Sequence, residues 1–202
     1  MMDASHSLAL FGMLSAALST IAYLPYINDT LRGRTHPQRA SWLIWSALGS
    51  IAFASQLYEG ATDSLWFAGV QVSGTIVVFL LSIRLGVGGF LNRQDCYVLL
   101  FAAGGLLAWY LTSTAVYAIA ITISVSLLGG FVTVRKAYLH PQSETLSSWV
   151  CSFVAAGFAV LAVGRLDIIL LAYPLYLCGL TGAIVAATLM GRSRDTSMLS
   201  RV

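Results

Sequence analysis

Apolar residues occur along this chain in seven long, uninterrupted runs that are separated by short polar stretches. A helix needs about 20 apolar residues to cross the hydrocarbon core of a bilayer, whereas a barrel strand needs about half as many and alternates in polarity. These runs are continuous and of the longer kind, so the pattern predicts an all-α membrane protein with seven transmembrane helices. The predicted spans are 8–27, 41–58, 64–84, 96–112, 116–134, 146–163 and 168–190.

The composition points to the same class of protein. Charged residues make up 9% of the chain, against roughly a quarter in an ordinary soluble domain, and the mean hydropathy is +0.82. A water-soluble fold cannot cover so much apolar surface with so few charges, which excludes soluble enzymes, nucleic-acid binders and disordered chains. We therefore expect a multi-pass protein of the cell membrane (the cytoplasmic, or inner, membrane), surrounded by lipid and binding no nucleic acid.

The positions of the basic residues predict the orientation in the membrane. Positive charge concentrates in cytoplasmic loops, and only Arg165 lies on the side of the predicted helices opposite to the other basic residues. The N-terminus is therefore predicted outside and the C-terminus in the cytoplasm, as an odd number of helices requires. The residues on the predicted cytoplasmic side are Arg32, Arg34, Arg39, Arg84, Arg93, Arg135, Lys136, Arg192, Arg194 and Arg201.

An internal repeat emerges when the chain is shifted against itself by 104 residues, which places 36–38 on 140–142, both reading His-Pro-Gln. Each copy holds three helices, and one extra helix between them turns the second copy to face the same way as the first. We expect a 3+1+3 arrangement of two parallel three-helix repeats: 1–90, a linker helix in 91–113, and 114–202 with a short cytoplasmic tail. The same shift pairs Arg32 with Lys136, Trp45 with Trp149, Gly60 with Gly164 and Asp63 with Asp167.

Several short motifs carry a resemblance to a known family. Residues 23–27 read Tyr-Leu-Pro-Tyr-Ile, and a basic loop at 32–35 and Ser41-Trp42 follow them. The second copy repeats this pattern through 135–136 (Arg-Lys), 143–145 (Ser-Glu-Thr) and Trp149. In this the chain resembles the SWEET/PQ-loop superfamily. The family's Pro-Gln position reads Pro25-Tyr26 here, and the paired asparagines of sugar-transporting members have no match.

The resemblance implies the 3+1+3 fold, an external N-terminus and membrane transport. Half-size relatives in this superfamily dimerise to build one pore. This chain contains both copies, so a monomer is sufficient and a homo-oligomer stays open.

Polar side chains at mid-membrane depth are the first candidates for a binding site, because burying them in lipid is costly. The predicted spans place no acid, lysine or histidine at that depth; the neutral candidates are Gln71 and Ser73 in helix three and Tyr173 and Tyr176 in helix seven. We expect these four to line a central cavity. The alternative is that Gln71 only bonds a neighbouring helix.

The repeated tryptophans Trp45 and Trp149 form the second group of candidates. Under the twofold relation they could approach across the central axis and stack on a flat ligand from opposite sides. The alternative is an interfacial aromatic belt, where tryptophan is ordinarily enriched. Trp42, whose counterpart is Leu146, is assigned to the belt.

Prolines within predicted helices mark candidate hinges, because proline removes a helical hydrogen bond. Pro25, between Tyr23 and Tyr26, lies near the cytoplasmic end of helix one, and Pro174 lies in helix seven. We expect all four residues to serve gating, although static kinks would have the same sequence. The His-Pro-Gln turns are explained by helix-start chemistry, with Thr35 as a cap. No metal site, cofactor or catalytic constellation is predicted, so the chain is not expected to be an enzyme.

Together these features predict a transporter for a small, mostly uncharged polar metabolite that is sugar-, nucleoside- or vitamin-like. We expect alternating access and facilitated diffusion, because no buried carboxylate is predicted that could couple protons or hold a cationic substrate. The alternative from another class is a seven-helix receptor or interaction protein on the same scaffold, without transport.

Overall fold

The structure, a computed structural model, describes residues 4–58, 63–89, 100, 103–104, 107, 110–112, 115–164 and 166–199. These residues are helical and form no strand, apart from one isolated backbone bridge between Gln38 and Val87. The prediction of an all-α protein is therefore confirmed for them. The helices are α1 (Ala4–Leu31), α2 (Arg39–Tyr58), α3 (Asp63–Leu85), α4 (Ala115–Leu139), α5 (Leu146–Ala162) and α6 (Ile168–Leu199), with a 3-10 turn at Pro141–Ser143.

Several helices are longer than the apolar runs that predicted them, α1 and α6 by the most. α1 and α6 continue to Leu31 and Leu199, because polar residues continue a helix until a residue breaks it. α1 ends two residues before Gly33, whose φ of 68° is the left-handed conformation that follows the end of many helices. Most of the predicted fourth span, 96–112, lies outside the described residues.

Within the described residues, three helices are long and apolar enough to cross a membrane. They cover His6–Leu31, Leu65–Leu85 and Leu170–Ser197. Their length and composition support a membrane-embedded protein.

The helices form a closed ring in the order α1, α3, α2, α4, α6, α5. In each half of the chain the third helix lies between the first and the second, whose backbones are not in contact. Between the halves, α1 packs on α5 and α2 packs on α4. Exchanging α1 with α4, α2 with α5 and α3 with α6 leaves every one of these neighbour relations unchanged, as expected of two equivalent sets of three helices.

Contacts along the helices fix their directions. Asp29 near the end of α1 meets Thr145 at the start of α5, and Ser15 in the middle of α1 meets Ala155 in the middle of α5, so these two helices are antiparallel. α5 and α6 run in opposite directions. α6 runs parallel to α4, because Leu180 lies close to Gly130 and, further along both helices, Gly191 lies close to the backbone oxygen of Tyr138. α1 and α4 therefore run the same way, and the two sets are parallel.

One end of the ring, which we call the basic end, holds the 32–38 and 140–145 loops together with the C-terminal ends of α3 and α6. Thr35 and Thr145 meet there, and so do Lys136 and the carbonyl of His36. The described basic residues of the predicted cytoplasmic side collect at this end: Arg32, Arg34, Arg39, Arg84, Arg135, Lys136, Arg192 and Arg194.

The two His-Pro-Gln turns each dock on a glycine at the C-terminal end of the third helix in their own set, Gly86 directly after α3 and Gly191 within α6. Pro37 and Pro141 are fully buried. A Cβ added to Gly86 would lie 2.6 Å from the Pro37 carbonyl oxygen, and one added to Gly191 would lie 3.2 Å from the Pro141 Cβ. The turns therefore close each set at the basic end. Thr35 does not cap a helix as expected, since its hydroxyl contacts Thr145 instead.

This docking predicts a difference between two glycines of α6. Gly191→Ala should lower the midpoint of thermal unfolding in detergent by roughly 3–10 °C, because overpacking costs about 1–3 kcal/mol. The new Cβ would lie 2.5 Å from the backbone oxygen of Tyr138, which cannot give way easily. Gly179→Ala is the matched control, since nothing lies within 4 Å of its Cβ position. Equal midpoints for the two variants would contradict the docking.

Candidate functional site

A cavity of about 60 Å³ lies at the centre of the ring. It brings together most of the residues that the sequence nominated for binding, together with both tyrosines that flank Pro25. Those lining the cavity are Gln71, Trp45, Trp149, Tyr173, Tyr176, Tyr23 and Tyr26.

Ser73 is the candidate that the structure does not bring into this cavity. Its side chain is exposed and lines a groove on the outer surface of α1, α2 and α3, together with Trp66 and Val77. Ser73 follows Gln71 by two residues, so it points roughly 200° away around the helix. The expectation that both line the cavity was wrong because it used depth along the helix and not the helical face.

Four aromatic rings close the cavity toward the basic end. The Trp42 ring lies 5.1 Å from Tyr26 and 5.2 Å from Trp45, and the Tyr26 ring lies 5.9 Å from Trp149 (centroid distances). Aromatic pairs at such separations stabilise each other beyond their buried area. The assignment of Trp42 to an interfacial belt is wrong, because the residue is 5% exposed at the centre of this cluster.

The repeated tryptophans do approach each other, but not in the predicted geometry. The rings of Trp45 and Trp149 are 6.4 Å apart and meet at 74°. A flat ligand sandwiched between two rings needs them parallel, so the expected stacking from opposite sides does not occur in this conformation. The pair instead forms part of the wall that closes the cavity.

Gln71 has both of the roles that the sequence left open. It lines the cavity, and its Oε1 accepts a hydrogen bond of 2.6 Å from the hydroxyl of Tyr23 on α1. The Tyr23 ring reaches α3 because residue 74 is a glycine: a Cβ at Gly74 would lie 2.3 Å from the ring. The contact joins the first and third helices of the first set at the level of the cavity.

Small hydroxyl residues that were not among the predicted site residues complete the lining. Ser148 and Ser152 are four residues apart on α5 and therefore share its inner face. That spacing, next to Trp149, was the available signal. The other hydroxyl residues are Thr75, Ser126 and Thr181.

Three polar atoms at the cavity are buried without a hydrogen-bond partner among the described residues: Trp45 Nε1, Ser148 Oγ and Tyr176 Oη. The Tyr176 hydroxyl faces Ser126 and the Trp45 indole but does not reach either with hydrogen-bond geometry. Buried polar groups normally have partners. These atoms therefore offer vacant hydrogen-bonding positions to water or to a ligand.

A polar layer lies directly beyond the aromatic rings, at the basic end. The Trp149 indole N–H donates to Glu144 Oε2 at 2.9 Å, and Lys136 Nζ lies 2.9 Å from Glu144 Oε1. Glu144 is 4% exposed. The expectation that no acid is buried near the binding residues is therefore wrong. Glu144 lies in the turn before α5, outside the predicted spans, and the turn folds back under Trp149.

A second polar contact continues this layer between α1 and α5. The Thr145 hydroxyl donates to Asp29 Oδ2 at 3.0 Å, and since its one proton is used there, it accepts from Thr35 at 2.6 Å. Arg34 lies 3.9 Å from Asp29 on the outer side. The equivalent pair between α4 and α2 is Thr133 and Ser41, whose hydroxyls are 3.4 Å apart.

Packed side chains bound the cavity toward both ends of the ring in this conformation. Beyond Tyr173, on the side away from the basic end, Phe67, Ala155 and Ala159 form a buried cluster with Leu18 and Leu177 packed against it. A volume of about 60 Å³ is room for a few water molecules. A larger solute requires the helices to move. α1 and α6 continue as helices through Pro25 and Pro174.

Comparison with known proteins adds no assignment. No protein-family model, no curated protein and no solved structure matches this chain. Within the described residues, no group of three His, Cys, Asp or Glu side chains is placed to hold a metal ion.

Proposed function

We propose that the protein is a membrane transporter that carries a small, mostly uncharged polar metabolite through the centre of the helix ring by alternating access. The observation that carries this proposal is the central cavity with its three vacant hydrogen-bonding atoms. Gln71, Tyr173 and Tyr176 supply polar contacts, and Trp45 and Trp149 supply aromatic surface.

The lining favours a neutral solute. All the described side chains that line the cavity are uncharged, so neither a free anion nor a free cation finds a counter-charge there. Glu144 lies just outside the cavity and is already neutralised by Lys136. The Trp45 indole can only donate, so its partner in the solute is an acceptor oxygen or nitrogen, as in a sugar, nucleoside or vitamin. The proposal retains facilitated diffusion because the buried acid is paired.

The architecture supports alternating access. The cavity lies between two equivalent sets of helices and is bounded by packed side chains toward both ends, so rocking of one set against the other would widen it on one side at a time. We include in the proposal the seven-helix 3+1+3 plan of the SWEET/PQ-loop superfamily, a multi-pass position in the inner membrane, an external N-terminus and a cytoplasmic basic end. A single chain holds both sets, so the proposed unit is the monomer.

The test is a thermal-shift screen of the detergent-purified protein against sugars, nucleosides, vitamins and amino acids. A ligand at a hundred times its dissociation constant adds about 2.7 kcal/mol, which for a chain of this size raises the unfolding midpoint by roughly 5–11 °C. Trp45→Phe with Gln71→Ala should abolish the shift, whereas Ser73→Ala on the outer groove should keep it. A panel without any shift, or a shift that survives the double substitution, contradicts the proposed site.

Pro25 separates transport from binding alone, which a receptor on the same scaffold would show. Pro25→Ala restores a helical hydrogen bond and stiffens α1, so we expect uptake of the ligand into liposomes to fall about tenfold. The dissociation constant of the same ligand, obtained from the thermal shift, should stay within twofold of the wild-type value. Uptake at the wild-type rate would remove the hinge from the mechanism. Binding without uptake in the wild-type protein itself would favour the receptor.

A further inference from the structure

The two repeated tryptophans differ in one hydrogen bond. Trp149 donates its indole N–H to Glu144, whereas the indole N–H of Trp45 has no hydrogen-bond partner among the residues that the structure describes. The residue five positions before Trp45 is Ala40, where the second set has Glu144. Only one of the two rings is therefore tethered to the polar layer.

The tether joins three parts of the basic end. Glu144 holds Trp149 through one carboxylate oxygen and Lys136 of α4 through the other, and Lys136 also donates to the His36 carbonyl in the first loop. Bonds between charged partners are shorter and stronger than neutral ones. The position of the Trp149 ring across the cavity thus depends on both loops of the basic end.

We propose that Glu144 is the latch of a one-sided gate at the basic end. While Lys136 neutralises it, its carboxylate holds the Trp149 ring across the cavity. When the lysine withdraws, the unpaired carboxylate moves to water, because a lone buried charge is strongly unfavourable. The Trp149 ring is then released, and the cavity opens toward the basic end.

The latch also determines which side of the ring of helices opens. Thr145 is the next residue after Glu144 and carries the contact to Asp29 of α1. Movement of the turn therefore breaks the polar contact between α1 and α5 as it frees Trp149. The equivalent contact between Thr133 and Ser41 involves only hydroxyls and has no acid beside it. Opening is thus assigned to the α1–α5 side, and α2–α4 stays closed.

The experiment measures access to the cavity and needs no substrate. In the full chain, Cys96, Cys151 and Cys178 are replaced by alanine, and Ser152→Cys, in the cavity lining, reports the reaction rate with a membrane-impermeant maleimide. Glu144→Ala and Trp149→Phe should each raise this rate about tenfold, as loss of a charge-assisted bond allows. Trp45→Phe is the matched control for the loss of ring volume from the same wall and should raise the rate clearly less than Trp149→Phe, because the Trp45 indole N–H has no partner among the described residues to lose.

Two further variants separate a latch from general loosening. Glu144→Gln keeps an acceptor for Trp149 and should give a rate between the wild type and Glu144→Ala; it also supplies the comparison if the alanine variant aggregates. Combining Glu144→Ala with Trp149→Phe should be no faster than the faster single variant, because both remove the same bond. A second reporter, Ser147→Cys on the exposed face of α5, should react at one rate in all variants.

Two results would contradict the latch. One is that Glu144→Ala and Glu144→Gln leave the maleimide reaction rate at Ser152→Cys within twofold of the rate in the same background without them. The other is that Trp45→Phe raises this rate as much as Trp149→Phe does. The latch proposal depends on the proposed function in one respect, which is that the transported solute passes through this gate. Faster access in Glu144→Ala together with no transported solute would contradict the transporter and keep the latch. Transport of a solute together with an unchanged access rate in Glu144→Ala would contradict the latch and keep the transporter.

Discussion

Lys136→Met should lower the midpoint of thermal unfolding by roughly 6–20 °C, the largest effect on stability that the structure predicts for a single side chain. Removing one partner of a buried ion pair costs about 3–5 kcal/mol, because the other charge is left unpaired, and each kcal/mol shifts the midpoint by roughly 2–4 °C at this chain length. Glu144 is the charge left behind: its side chain is 1% exposed and Lys136 lies 2.9 Å away. Differential scanning fluorimetry in detergent measures the shift.

The matched control replaces both partners. Lys136→Met combined with Glu144→Gln removes the two charges together, and the glutamine still accepts from the Trp149 indole. We expect the double variant to recover most of the lost midpoint, since swapping a buried pair for neutral groups is often nearly neutral. A double variant no more stable than Lys136→Met alone would show that the lysine stabilises the basic end through its bond to the His36 carbonyl and not through the acid.

Gly74→Ala should have the largest effect on binding. The added Cβ would lie 2.3 Å from the Tyr23 ring, so the ring must leave its place and its hydrogen bond to Gln71 is lost. We expect ligand affinity to fall at least tenfold, since a hydrogen bond and its buried partner are worth about 1–3 kcal/mol, and stability to fall by a similar amount from overpacking. Isothermal titration with any ligand found in the thermal-shift screen measures the affinity.

Gly69→Ala is the control on the same helix, because its Cβ would only touch the Phe53 ring at 3.4 Å. The Gly69→Ala variant should bind the ligand with the affinity of the wild-type protein. A second variant, Gly74→Ala with Tyr23→Leu, removes the clash and should regain stability without regaining affinity. Full affinity in that double variant would mean that the Tyr23 hydroxyl and Gln71 do not position the solute.

The sequence was informative where one residue's role follows from its position along a helix. Continuous apolar runs predicted the described helices. The 104-residue offset offered an approach of Trp45 and Trp149 as one of two interpretations, and their 6.4 Å separation favours it over the interfacial belt. Trp42 lies three residues before Trp45 and so shares its helical face. This signal was present in the sequence, but an assignment from depth alone placed Trp42 at the lipid interface.

Other features could not be predicted because they depend on how separate segments meet. Glu144 lies in a polar turn, and only the folding of that turn under Trp149 makes it a buried acid. The Tyr23–Gln71 bond likewise depends on α1 crossing α3 at Gly74. The angle between two rings, which decides whether a ligand can be sandwiched, is set by packing from all sides and leaves no trace in residue spacing.

The order of helices in the ring has a consequence for synthesis of the chain. α1 finds its main partner, α5, more than a hundred residues later. At about 5–20 residues per second, a ribosome needs roughly 4–15 seconds between the end of α3 and the end of α5. During that interval the face carrying Tyr23, Gln71 and the buried serines of α1 has no protein to cover it. We therefore expect the nascent first half to remain beside the membrane insertion machinery until the second half arrives.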